Sequence, residues 1–449
     1  MSEPDRDAAP TVDLPRRWGP LLPPLLLLGL AVGLICLPLN ALDAHLQALL
    51  LDRFDGGLHP WLFAPLLGLP VLLLLQQRTG LGCGAGSGIP HTALAIEDGA
   101  RAPALLASRA LLARLLLFVG ASLSLLPLGR EGPVVFVGAA TVWALRRPLA
   151  APLRQLGLPT LLAAAGGAGL AAAFNTPLVA VVFAAEELLQ RFSAPMVWTA
   201  LVLALPAALV ADLGGQPLFA FGVMPQTMGE AQQLLLALPI GVAGGLAGAL
   251  FSWLVLQVSA RLAPWIGRAP LAMGLLLGGG LTLLALLSGG RALGSGAAVV
   301  ADLVSRSGDL SDRGAVTALL GRALAPVLAM GTGLPGGLID PALSLGGLLG
   351  LLVSRAASLD PLLGVGLGLA AGLAGCLQLP LFASLFAVRL CGDQQLLPGL
   401  ATAALVAALM SRRLQPVPLY HGLTERFARG LEGLGPEGQE PGAQRAPRR

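Results

Sequence analysis

Three glycine-rich segments of this chain stand where an apolar run is about to begin: Gly86-Ser87-Gly88-Ile89-Pro90, Gly129-Arg130-Glu131-Gly132-Pro133 and Gly336-Gly337-Leu338-Ile339-Asp340-Pro341. A helix start leaves N–H groups unpaired and carries roughly half a positive charge, so starts that converge can bind an anion without a full cation. Glycine lets the backbone approach such an ion, and proline in the first turn removes a donor the helix leaves unpaired anyway. Glu131 puts an acid at one of these starts. Within a membrane that is costly unless the side chain takes part in ion or proton passage. The plainer readings are a helix cap for Ser87 and a dipole partner for Glu131.

Other chemistries fail on residue type or spacing. Gly82, Gly84, Gly86 and Gly88 imitate a nucleotide-binding loop, but the chain has no lysine, which excludes a Walker A motif. A Rossmann unit fails for want of flanking strands. His45, His59 and His421 show no HxxxH or HxxE spacing, so no metal is expected. His91 reads as a surface loop residue. Cys36, Cys83, Cys376 and Cys391 form no CxxC pair and take no redox or metal role. With no Ser/His pairing, metal triad or Asp-rich motif, the chain reads as a non-enzyme with no catalytic residues and no cofactor.

The elements that position these residues must sit in lipid. The chain is 55% hydrophobic and only 12% charged, where soluble domains carry roughly 25% charged residues. Apolar runs long enough to span recur from about Leu21 to about Met410. Helices are predicted at about 20–40, 58–77, 103–128, 132–146, 159–173, 177–191, 195–212, 231–262, 269–288, 314–330, 341–355, 361–376, 379–391 and 395–411. Several are too short to cross squarely, and Gly and Pro interrupt them at Gly86–Pro90, Gly129–Pro133, Asn175–Pro177 and Gly333–Pro341. Such breaks are tolerated only where protein buries them or they line a cavity. Corresponding breaks in two halves are the pattern of an inverted-repeat transporter, although residue identity does not display the repeat. The first apolar run, Leu21–Pro38, lacks a clear cleavage site and reads as a retained helix.

The net charge of +4 arises from arginines in short loops and at the chain ends, not from a stripe with interleaved aromatics, so no nucleic-acid partner is expected. Arg16 and Arg17 precede the first run, and Arg412, Arg413, Arg426, Arg429, Arg448 and Arg449 follow the last, which predicts cytoplasmic ends and an even number of crossings in a plasma (inner) membrane. The expected organisation is a cytoplasmic tail at 1–18, a first transmembrane half at 19–213, a connecting loop at 214–229, a second half at 230–422 and a disordered cytoplasmic tail at 423–449.

The three glycine-rich segments, together with Gly169-Leu170-Ala171-Ala172-Ala173-Phe174-Asn175-Thr176-Pro177 leading to Glu186-Glu187, and Pro418-Leu419-Tyr420, resemble in order the signature segments of the CLC family of chloride channels and chloride/proton antiporters. The resemblance implies an all-α polytopic membrane protein of CLC-type fold, with two inverted-topology halves of tilted and broken helices. It implies voltage-influenced chloride/proton antiport by a homodimer, with chloride and protons as the transported ions and lipid as the surroundings. Ser87 and Tyr420, the only tyrosine, would donate hydroxyls to chloride. Backbone N–H groups of Gly132, Leu338 and Ile339 would complete the anion site. Glu131 would be the gate that competes with the anion and carries its proton, Arg130 would offset charge, and Glu187 would pass protons internally. Glu187 favours antiport over a passive channel, and Ser87 favours chloride over fluoride. The passive channel and the exporter of another anion such as fluoride remain the alternative readings, as does a purely structural Glu187 ending a helix near Arg191.

Some residues depart from the pattern. Ile339 stands where the family ordinarily has Phe, and Asp340 where it has a small residue. An acid there competes with a bound anion for the helix start. Asp340 and Arg389 are therefore expected to form a substituted pair. Arg114, alone in an apolar run, is expected to pair across helices or to snorkel.

Overall fold

The computed structural model describes residues 19–54, 57–214, 230–306 and 310–432. The tail expected at 1–18, nearly all of the connecting loop and the last part of the C-terminal tail lie outside these residues. Seventeen helices position the site. In the first half they are α1 (Leu22–Leu51), α2 (Ala64–Arg78), α3 (Ile89–Glu97), α4 (Ser108–Leu123), α5 (Glu131–Leu145), α6 (Leu158–Phe174), α7 (Pro177–Phe183) and α8 (Ala194–Asp212). The second half supplies α9 (Glu230–Arg268), α10 (Pro270–Leu287), α11 (Ala297–Arg306), α12 (Asp312–Gly331), α13 (Ile339–Ala356), α14 (Pro361–Leu377), α15 (Pro380–Cys391) and α16 (Leu397–Leu414), and α17 (Leu419–Glu432) follows.

The halves repeat one another element by element. The loops that open α5 and α13 share a register, Leu126-Pro127-x-Gly129-x-x-x-Pro133 against Leu334-Pro335-x-Gly337-x-x-x-Pro341. In each, a left-handed residue ends the preceding helix: Leu125 at φ 51° after α4 and Gly333 at φ 74° after α12. A second repeat pairs Gly86-Ser87-Gly88 with Gly294-Ser295-Gly296, whose outer glycines have φ 81° and 110° in one copy and 65° and 115° in the other. A third pairs the left-handed C-caps Asn175 and Gln378, each followed two residues on by the Pro that opens α7 or α15. Where the copies meet, Gly129 and Gly337 form an antiparallel bridge, as an inverted repeat requires.

Packing follows the same repeat. α6 lies against α1, α5 and α8, and α14 lies against α9, α13 and α16, while α2 meets α10 across the halves. Small residues make the approach close. A Cβ on Gly346 of α13 would lie 2.6 Å from the Cα of Gly372 on α14, so the two backbones touch there and dispersion holds the pair without large side chains.

Among the described residues, nine helices are long and apolar enough to cross a membrane, and α5, α6, α14 and α15 are shorter apolar helices. The chain is thus a multi-pass membrane protein, helical among the described residues apart from one isolated bridge. Three helices have no predicted range: α3, of which the sequence marks only the start at Gly86–Pro90, α11 and α17. α17 runs to Glu432, well into the segment expected to be tail.

Candidate anion and proton site

α5 and α13 begin face to face because the residues before them pair. The Gly129 N–H donates to the Gly337 carbonyl at 2.9 Å, and the Gly337 N–H to the Gly129 carbonyl at 2.7 Å. The start of α3 joins them through the Gly86 N–H, which donates to the Gly333 carbonyl at 2.7 Å. Gly88 packs on Gly132 and Phe136, and Gly132 in turn faces the Ser87 side chain and the Gly336 carbonyl. Ser87, Gly132, Leu338 and Ile339 are all buried at this convergence. The Ser87 hydroxyl makes no hydrogen bond to any described residue. Buried hydroxyls ordinarily have a partner, and this one keeps its capacity to donate.

Tyr420, at the start of α17, reaches the same place. The Leu338 N–H donates to its Oη at 3.3 Å. Glu131 is fully buried, and its Oε1 accepts the Asp340 N–H at 2.5 Å. The carboxylate therefore lies on the positive start of α13, where a transported anion would be favoured. Its Oε2 makes no hydrogen bond to any described residue. The room comes from Gly337, where a Cβ would come within 2.7 Å of Glu131 Cδ. The donor that holds the carboxylate is Asp340, beside the two backbone donors the sequence points to.

Arg130 is buried at 1% exposure and forms an ion pair with Asp43 of α1, its guanidinium also lying 5.1 Å from the Phe174 ring centre. It anchors the α5 start to α1 as well as facing the Glu131 charge. The expected Asp340–Arg389 pair does not form. Asp340 is fully buried, neither carboxylate oxygen makes a hydrogen bond to a described residue, Arg389 is exposed, and the cations acting on Asp340 among the described residues are Arg130 and Arg322. The reason is placement: Arg389 lies in the last turn of α15, where it suits the negative helix end, and points to the surface.

Arg114 neither pairs with an acid nor snorkels. It is fully buried, donates to the Ala85 carbonyl at 2.9 Å and lies 3.8 Å from the Phe136 ring centre. Its counterpart in the second half is Arg322, which sequence reasoning does not single out. Arg322 donates to the Gly294 carbonyl and Ser344 Oγ, each at 2.9 Å, and to the Ser295 carbonyl. His91 is a helix residue of α3, not a loop residue. It is buried, with its ring centre 4.0 Å from that of Phe427 on α17.

Glu186 and Glu187 lie on a π-helical turn, Ala184–Leu188, that ends α7; such turns often mark functional positions. Glu186 turns outward to cap α15, accepting the Leu381 N–H at 3.3 Å and the Phe382 N–H at 2.8 Å. Glu187 turns inward, its side chain 5% exposed and 4.0 Å from Nδ1 of His421. No ion pair joins it to Arg191 among the described residues. Tyr420 lies within electrostatic reach of both Glu131 and Glu187. Asp43 and Arg322 could have been found as lone charges within apolar helices. No group of His, Cys, Asp and Glu suited to a metal occurs among the described residues.

The family model of voltage gated chloride channels matches residues 71–412. The chain belongs to this family. It is 28% identical over 319 residues to the H(+)/Cl(-) exchange transporter ClcA of Yersinia pestis bv. Antiqua (strain Angola), a match covering 67% of this chain and 64% of that protein. The chain thus spans less than two thirds of that relative. It is also 28% identical over 323 residues to the voltage-gated ClC-type chloride channel ClcB of Salmonella dublin, covering 69% of this chain and 73% of that one. In fold it is similar to a solved slow cyanobacterial Cl-/H+ antiporter, with a TM-score of 0.75 and 23% identity over 91% of this chain and 99% of that one.

Proposed function

We propose that this protein exchanges chloride for protons across a plasma (inner) membrane with its ends on the cytoplasmic side. The observation that carries the reading is the Glu131 carboxylate on the Asp340 N–H at the start of α13, beside the unpartnered hydroxyl of Ser87. A charged Glu131 holds the place of an anion. Protonation removes the attraction to the helix start, the side chain swings out and chloride takes its position, so each proton taken up exchanges for anion occupancy.

Chloride then lies among the Ser87 and Tyr420 hydroxyls and the N–H groups of Gly132, Leu338 and Ile339. These are neutral donors, which bind loosely enough for release. Glu187, buried on the π-helical turn after α7, passes protons between water and Glu131. That buried acid favours antiport over the channel activity for which ClcB is named, and the Ser87 hydroxyl favours chloride over fluoride. No cofactor or metal takes part, and the transporter acts as a homodimer in lipid, its rate influenced by voltage.

The test uses purified protein in liposomes with a chloride gradient, the voltage clamped by an ionophore and external pH recorded. Protons driven uphill by chloride support the proposal. Chloride flux without proton movement makes the protein a channel and returns Glu187 to a structural role.

A further inference from the structure

Glu187 is buried, its side chain only 5% exposed, and a proton acceptor so shielded from water gains from a carrier. One titratable side chain bridges it to the surface. His421, the residue after Tyr420 on α17, is 36% exposed, and its Nδ1 lies 4.0 Å from Glu187 Oε1. Nδ1 makes no hydrogen bond to any described residue. The other ring nitrogen, Nε2, lies 2.5 Å from Nε2 of Gln190. When the Gln190 amide presents its nitrogen, the histidine nitrogen opposite accepts and the ring proton sits on Nδ1, facing Glu187; when it presents its oxygen, the proton sits on Nε2. Gln190 is set at this angle by a left-handed backbone, φ 53°, just beyond the π-helical turn that carries Glu187.

We propose that His421 carries protons between Glu187 and the aqueous phase on the side of α17, with Gln190 selecting its tautomer. The proposal rests on the antiport reading, which needs protons to reach Glu187. The step balances. An aqueous proton first joins Nε2, and the exposed Gln190 amide turns over so that its oxygen accepts the new Nε2–H. The resulting imidazolium gives its Nδ1–H to the Glu187 carboxylate through a small ring rotation or one bridging water, as 4.0 Å is too long for a direct hydrogen bond, and the ring is left neutral with its proton on Nε2. Loss of that proton to water and uptake of one at Nδ1 return the neutral ring to its starting tautomer.

Glu187 is the charged group that faces the ring. The other titratable or charged groups nearby are Glu425, Arg426 and Arg429 on α17 itself, His91 and Glu97 on α3, and Arg261 and Arg268 at the C-terminal end of α9; α14, which also packs on α17, has no charged residue. Glu186 is engaged with α15.

The experiment measures proton and chloride fluxes together in liposomes for His421→Ala, His421→Gln, Gln190→Leu and Glu187→Gln. His421→Ala is expected to lower proton flux at least about tenfold, on the low side of what a positioned proton carrier contributes, while chloride flux stays within about twofold. Free imidazole in the buffer on the α17 side should restore proton flux to His421→Ala, a rescue that a structural role does not give. His421→Gln keeps the shape and should lose proton flux equally, without depending on whether the alanine variant assembles. Gln190→Leu should slow proton flux less. Undiminished proton flux in both His421 variants overturns the proposal. If Glu187→Gln is silent as well, the internal route through Glu187 falls with it; if Glu187→Gln blocks protons while the His421 variants do not, only the role of His421 is lost; chloride flux without proton movement in the unaltered protein removes the antiport reading itself.

Discussion

Gly129 and Gly337 exchange two backbone hydrogen bonds, and that exchange sets the starts of α5 and α13 against each other with the Glu131 carboxylate between them. Neither position has room for a side chain. Each glycine lies directly against the carboxylate.

Gly337→Ala is therefore expected to push Glu131 off the Asp340 N–H. Overpacking of this kind costs about 1–3 kcal/mol, and the displaced gate should leave chloride movement less tightly tied to protons. A fall in the measured proton-to-chloride ratio, with a lower midpoint of thermal unfolding in detergent, checks it; an unchanged ratio would count against a gate seated between the two glycines.

Glu131→Gln removes the charge and the titration but keeps the shape. Proton transport should drop by roughly 10²-fold or more, the scale of deleting a positioned proton-transfer group, while chloride continues to move. Persistence of full proton transport in the flux assay would refute the gating role.

Asp43→Asn should destabilise the protein by about 3 kcal/mol, because it leaves the buried Arg130 guanidinium without its ion-pair partner. Thermal unfolding of the purified variant reads this directly. Arg130→Met together with Asp43→Leu should recover much of the loss, since replacing both partners by apolar side chains avoids an unpaired buried charge.

Asp340→Ala keeps the N–H that holds Glu131 and deletes a carboxyl whose oxygens have no hydrogen-bond partner. Relieving such a group is worth about 1–3 kcal/mol. The variant should melt higher and bind chloride several-fold more tightly by isothermal titration calorimetry. Weaker chloride binding would mean that Asp340 contributes to the anion site through its side chain.

The main helices, their breaks and the convergence of three glycine-rich starts were legible in the sequence, because long apolar runs and Gly/Pro interruptions report directly on a lipid environment. The start of α3 was legible but its extent was not, since it is short and nearly all of its residues are buried, which erases the one-sided periodicity that marks a helix. α11 was hidden by the absence of a proline after Gly294-Ser295-Gly296, although that triplet repeats Gly86-Ser87-Gly88 letter for letter. α17 is too polar to read as a span, and its apolar side becomes evident only against α3 and α9. Partnerships resisted for another reason. Asp43 meets Arg130, and His421 meets Glu187, across separations that only the fold closes, and the guess that joined Asp340 to Arg389 had charge complementarity but no knowledge of which way α15 turns its residues.

The Gly86 N–H binds the Gly333 carbonyl, and the Gly294 N–H binds the Leu125 carbonyl. In the repeat these are one bond made twice, each half donating from its serine loop and accepting at its left-handed corner. That reciprocity is the hallmark of an isologous contact between two identical subunits, here drawn within a single polypeptide. The halves thus recognise each other as partners would, and two separately synthesised fragments, ending at Asp212 and beginning at Glu230, are expected to find one another in a bilayer and rebuild the pathway.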